Sequence, residues 1–292
     1  MAFADFQKKQ VQGKQQAVVR EFFSKHNGHF IVVTDDQTFL ALLRSTVKSL
    51  ALNKGGLIDF YPDPSKVLKA LTDDFKVKRN PALFIERTMS GTGETTFLIK
   101  QFRESFPQLR IFAMTNNADK GRLMLLHEAG ADRFLIKPIS GVDLMEKMAA
   151  ALKPPSPIKQ MLDTARTFIM RNIGMDALKI TRKVREVKPD SAAGYVVMGD
   201  ALRPAGDQDK AQVAYERASK QQVNYMEPLQ KLADLAREKN DADMQYEYLK
   251  RLDDLSPLNS QRKMEMAELQ MARGNTDAAK ELFDGAMTRT YK

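Results

Sequence analysis

Residues 82–96 read ALFIERTMSGTGETT, an apolar run that stops at an acidic side chain and opens into a glycine-rich loop. Its tail, GTGETT, is one letter from a phosphate-binding loop. Counting back from Gly93 places Thr88 where the first glycine of a Walker pattern belongs, and Glu94 stands where the lysine belongs. Such a loop sets a carboxylate against a polyphosphate instead of cradling it with backbone N–H groups and an ammonium. A nucleotide site is excluded. The run then reads as a buried parallel strand that delivers Glu86 to the carboxyl edge of a sheet.

On either side of this segment the same alternation recurs. Apolar strand candidates fall at 30–34, 57–61, 82–86, 110–114 and 133–136, with amphipathic helical stretches near 37–51, 64–74, 95–105, 119–129 and 140–152. Each parallel crossover needs a covering helix, so the alternation predicts an α/β doubly wound, five-stranded parallel sheet. Ligands of such sheets sit outside the carboxyl ends of the strands. The residues placed there are Asp35 and Asp36 after the first strand, Glu86 after the third, Thr115 after the fourth and Lys137 after the fifth.

The segments VVTDDQ, FIERTMSG, AMTNNAD and GADRFLIKPIS, spread over residues 29–152, together resemble the receiver domain of bacterial response regulators, a CheY-like fold. The resemblance implies that Asp35 and Asp36 are the acidic pair that holds Mg2+, that Thr115 and Phe134 are the switch residues, and that Lys137 before Pro138 faces the phosphate pocket. It also makes Glu86 the equivalent of the phosphoacceptor aspartate. A glutamate carries its charge roughly 1.5 Å farther out, where it meets the Lys137 ammonium and imitates part of the phosphorylated arrangement. An atypical or pseudo-receiver that is not phosphorylated is therefore expected. Read singly, each residue has an ordinary alternative: Asp36 as an N-cap of the helix near Thr38, Thr115 as a loop hydroxyl, Lys137 as a surface cation.

Pro154-Pro155-Ser156-Pro157 breaks the last of these helices, and 153–157 is read as a linker. Beyond it a 34-residue period governs the chain. Ala165, Gly199, Ala233 and Ala267 are spaced by that interval, as are the turn pairs Gly206-Asp207, Asn240-Asp241 and Gly274-Asn275. This resembles the tetratricopeptide repeat, whose small positions let paired helices pack closely. Four repeats are expected, at 158–191, 192–225, 226–259 and 260–292, forming an all-α superhelix that recruits proteins. Gln245 and Val223 stand where Ala and Pro are usual, which predicts a looser third repeat. Thr164 and Thr181 weaken the first. The last helix, near 276–289, is expected to leave Leu282, Phe283 and Met287 partly exposed, a place for a homodimer contact.

The first 28 residues stand outside both resemblances. Val11, Val18, Val19, Phe22 and Phe23 share one side of a helix from about 7 to 25, whose ordinary role is to dock on the adjoining domain.

Composition bounds the function. The 292-residue chain has no cysteine, which removes disulfides, thiol catalysis and thiolate zinc sites, and His26, His29 and His127 show no ligand spacing. No stretch approaches a membrane span, and a cytoplasmic location is expected. The net charge of +9 is spread thinly, 23 Lys/Arg against 16 Asp/Glu in residues 1–157 and 23 against 21 after them, without a nucleic-acid pattern. The resulting expectation is a non-enzymatic two-component adaptor that takes input from a histidine kinase or another signalling protein. A phosphorylatable response regulator and an RNA-binding regulator are the alternatives.

Overall fold

Side chains alternate across a β-strand, and in the first unit both faces of every central strand are apolar, so both must be covered. The computed structural model describes residues 2–52 and 55–287. It divides the chain into two compact units, Met1–Lys153 and Pro154–Lys292.

The strands of the first unit are β1 Gly28–Val33, β2 Ile58–Tyr61, β3 Asn80–Glu86, β4 Thr88–Met89, β5 Gly93–Glu94, β6 Arg110–Thr115 and β7 Arg133–Ile136. Five form one parallel sheet in the order β2-β1-β3-β6-β7, with Val33 level with Ile85 and Glu86 level with Met114. This is the flavodoxin-like doubly wound order, in which the strand connections reverse direction beside β1. The glycine-rich stretch after Glu86 is a small antiparallel hairpin, β4 with β5, turned by Gly91 and Gly93 at positive φ.

The helices are α1 Ala2–Ser24, α2 Gln37–Lys48, α3 Val67–Lys76, α4 Thr96–Ser105, α5 Lys120–Glu128 and α6 Gly141–Leu152. On one sheet face Phe30, Phe84 and Phe112 pack with α1, α2 and α6. The Phe84 and Phe112 rings stack with centroids 4.4 Å apart, a geometry that adds about 0.5–1.5 kcal/mol beyond burial. On the other face Ile31, Leu83 and Ile111 pack with α3, α4 and α5.

The N-terminal helix docks on the adjoining sheet, as its apolar side predicts. Val19, Phe22 and Phe23 of α1 belong to the same core as Phe30. A Cβ at Gly28 would lie 2.4 Å from the Phe22 ring and 2.6 Å from its carbonyl oxygen, so only glycine lets the chain turn from α1 into β1 this closely. The helical stretch expected at 64–74 is a 3-10 turn, Pro64–Lys66, followed by α3.

Among the described residues the second unit has four helical pairs: α7 Pro157–Met170 with α8 Gly174–Val187, α9 Ala192–Leu202 with α10 Gln208–Gln221, α11 Met226–Glu238 with α12 Ala242–Leu255, and α13 Ser260–Ala272 with α14 Thr276–Met287. Pro157 thus opens a helix capped by Ser156 rather than closing a linker. Left-handed residues end the first helix of each pair at Asn172, Gly206, Asn240 and Gly274, again 34 apart. Ala165, Gly199, Ala233 and Ala267 are buried. At Gly199 a Cβ would lie 2.4 Å from the Tyr215 ring, which is why the partner helix can lay a full aromatic there.

Gln245, expected to loosen the third pair, is accommodated inside it. It is buried, and its amide donates to Glu265 Oε1 at 2.7 Å. Val223 lies exposed before α11. Thr181 is buried and returns its hydroxyl to Leu178 O at 3.0 Å, while Thr164 is exposed. Leu282 and Phe283 are half-buried and Met287 is exposed; residues 288–292, with the end of the expected last helix and repeat, lie outside the described residues.

Candidate functional site

The carboxyl ends of β1, β3 and β7 meet at one buried charge cluster. Glu86, the last residue of β3, has 6% of its side chain exposed, and Lys137, just past β7, has 11%. The Lys137 ammonium donates to Glu86 Oε1 at 2.8 Å and to Asp36 Oδ2 at 2.8 Å. Thr34, at the end of β1, donates its hydroxyl to the same Glu86 oxygen at 2.8 Å and accepts from the Asp36 N–H at 3.0 Å. Glu86 Oε1 therefore receives one neutral and one charged donor, an arrangement that stabilises a carboxylate in a partly dry site.

Asp36 has two roles at once. Its Oδ1 caps α2 by accepting from Phe39 N at 3.0 Å, while its Oδ2 holds Lys137. The hydrogen bond from Lys137, then the one from Phe39, keeps the Asp36 carboxyl below the usual aspartate range against the opposing effect of burial. At Lys137 burial opposes the charge, but the hydrogen bonds to Asp36 and Glu86 together outweigh it and raise the ammonium above the ordinary lysine value.

Asp35 points elsewhere. Its Oδ2 accepts from the Ser90 N–H at 2.9 Å, tying β1 to the tip of the β4–β5 hairpin. Hydrogen bonding from Ser90, its side chain foremost and its N–H next, holds Asp35 below the usual range. The hairpin is fastened at its base as well: Thr95 donates to the Glu86 carbonyl and, at 3.3 Å, to that of Arg87. Glu94 pairs with Arg87 across the hairpin, so its carboxylate is spent on a cation of the same loop.

The resemblance implies a magnesium ion on Asp35 and Asp36, and the donors do not fit one. Mg2+ demands a near-ideal octahedron of oxygens, whereas Asp35 is turned to Ser90, and Asp36 and Glu86 share an ammonium. Among the described residues no three His, Asp or Glu side chains gather as a metal set. Thr115 is buried at its strand end, but its hydroxyl closes its own turn, accepting from Asn117 N at 3.1 Å. Phe134 is half-buried against the α3–α5 side of the sheet.

The hydroxyl on the cluster is therefore that of Thr34, which the strand pattern had absorbed into β1. Its signal was its position, two residues before a helix-capping aspartate. A second cluster was also missed. His29, for which spacing gave no partner, is buried, with Nδ1 2.5 Å from Asp74 Oδ2, Nε2 3.3 Å from Asp59 Oδ2, and Arg79 on the other Asp74 oxygen at 3.2 Å. It lies near the amino end of β1, away from Glu86 by the whole length of the strand.

On the second unit the charges are arranged as a ladder between first helices of the pairs. Arg166 of α7 reaches Glu227 of α11 at 3.5 Å, and Lys231 of α11 reaches Asp200 of α9 at 3.0 Å. A contact from α7 to α11 that skips α9 requires these helices to line a concave face.

No family model matches the chain, and no curated protein matches it. Solved structures similar to it include a crystal structure of MamA, at 19% identity and a TM-score of 0.41, over 52% of this chain and 88% of that one. A thermophilic TPR protein of Thermus thermophilus has 18% identity and a TM-score of 0.36, over 52% and 83%. MamA 41-end from Desulfovibrio magneticus RS-1 has 12% identity and a TM-score of 0.27, over 47% and 97%. The repeat organisation of the second unit stands on its own periodic helix geometry. Among the described residues no helix is long and apolar enough to cross a membrane.

Proposed function

We propose that the chain is a non-enzymatic adaptor of bacterial two-component type, cytoplasmic, whose first unit is a receiver-like docking module and whose repeat unit recruits proteins. The observation that carries this reading is the contact of Glu86 Oε1 with the Lys137 ammonium at 2.8 Å. In the arrangement the resemblance implies, that ammonium would face a transferred phosphoryl group. Here a carboxylate of the chain itself already receives its hydrogen bond, so the pocket is internally satisfied. Thr34 adds a second donor and Thr95 fixes the backbone at Glu86, which leaves the side chain little freedom. The unit then acts as a fixed surface for a histidine kinase or another signalling protein.

Acetyl phosphate labelling, with and without magnesium, followed by intact-mass measurement and peptide mapping, tests the reading. The expected result is no phosphate on the natural chain and uptake by Glu86→Asp, which withdraws the carboxylate by about 1.5 Å and opens space beside Lys137. Phosphate mapped to Asp35 or Asp36 of the natural chain would overturn it and favour a working phosphoswitch. Salt-dependent RNA binding by the chain would favour a nucleic-acid regulator instead.

A further inference from the structure

The charges of the concave face decide what it can take. Every basic side chain of α11 and α13 is already engaged: Lys231 with Asp200 at 3.0 Å, Arg237 with Asp234 at 2.9 Å, Arg262 on the carbonyls of Leu252 and Ser256, and Lys263 with Asp253. The acids answer in kind, with Glu227 on Arg166, Glu238 on Arg203, and Glu265 on Gln245. Glu268 is different. It is exposed on α13 and makes no ion pair among the described residues. The spacing of Met264, Glu268 and Met271 places them on one face of that helix, and the two methionines are 45% and 51% exposed. Met266, Ala267 and Gln270 are the buried side of the same helix.

We propose that the α13 side of the repeat array binds a basic amphipathic segment of a partner protein, with a Lys or Arg on Glu268 and apolar side chains on Met264 and Met271. The inference rests on the protein-recruiting reading of this unit and supplies the chemistry of the partner. On α11 and α13 a segment recognised by its carboxylates is disfavoured, because the cations there already hold acids or backbone carbonyls of the chain itself. Methionine suits the apolar half, since its unbranched, polarizable side chain adapts to varied shapes.

The test uses the full chain and labelled helical peptides of about twelve residues, some three turns: one of Lys and Leu, one with Glu replacing Lys, and one with Ser replacing Leu. Affinity is read by fluorescence anisotropy, and the site by the methyl resonances of methionine. The net charge of +9 favours the acidic peptide by general attraction, so preference for the basic one reports the site. The Lys/Leu peptide is expected to bind at least about tenfold more tightly than either other, and Glu268→Lys to cost it about tenfold. The Met264 and Met271 resonances should shift on binding. Equal or tighter binding of the acidic peptide, indifference to Glu268→Lys, or failure of all three peptides overturns the inference. None of these outcomes bears on Glu86, which the labelling experiment decides separately.

Discussion

Ion pairs hold both units, but in opposite settings. In the first, the nearly covered Glu86 and Lys137 meet the partly exposed cap residue Asp36 at one edge of the sheet, and each group depends on the others. In the second, pairs such as Arg166 with Glu227 lie half-exposed between repeats that pack mainly through small residues and apolar side chains. A buried charge left alone costs several kcal/mol, whereas an exposed pair contributes ~1 kcal/mol or less. The same chemistry is thus decisive in one unit and nearly optional in the other, where it sets the charge of a surface more than its stability.

The largest test of this contrast is Lys137→Met, which leaves Glu86 and Asp36 facing each other. It should lower the stability of the first unit by roughly 3–5 kcal/mol, read as a shift of that unit's transition in urea. Adding Glu86→Gln should recover part of the loss. If Lys137→Met costs no more than a surface pair, the contrast fails.

In the second unit the corresponding weak point is steric. Gly199→Ala puts a methyl 2.4 Å from the Tyr215 ring and should cost about 1–3 kcal/mol, seen in the melting of that unit alone. Thr34→Val removes a donor from Glu86 with little change of shape and should cost about 1 kcal/mol. Smallest is Arg166→Ala, expected to cost less than ~1 kcal/mol and to lose even that in high salt.

Acid sharpens the comparison further. Asp35 and Asp36 have folded values below the unfolded one, so their contribution is present above about pH 4 and fades as pH falls through the lowered folded values. Lys137 is raised, so its contribution is complete below about pH 10 and is lost as pH rises through its folded value. The unfolding midpoint of the first unit should therefore fall at both extremes, and Asp36→Asn should flatten its acid limb.

Much of the site was legible because strand ends can be counted. Glu86 and Lys137 were found by their places after apolar runs, and they meet. Thr115 did not join them, because a hydroxyl two residues from a backbone N–H finds the local bond to Asn117 first. Asp36 looked like either a cap or a ligand of the pocket, and its two oxygens divide between a cap and the ammonium. His29 and Asp74, 45 residues apart, share no spacing rule that could have paired them.

By itself the sequence determined the alternating apolar runs, the 34-residue period and the glutamate at the third strand end, because periodicity and residue type are local properties that each segment carries alone. Only the tertiary structure decided that Thr34 rather than Thr115 serves Glu86, that α1 completes a core, and that Glu268 makes no ion pair among the described residues. Those outcomes depend on which partners arrive from distant segments, and the burial that makes such partners matter exists only once the chain has folded.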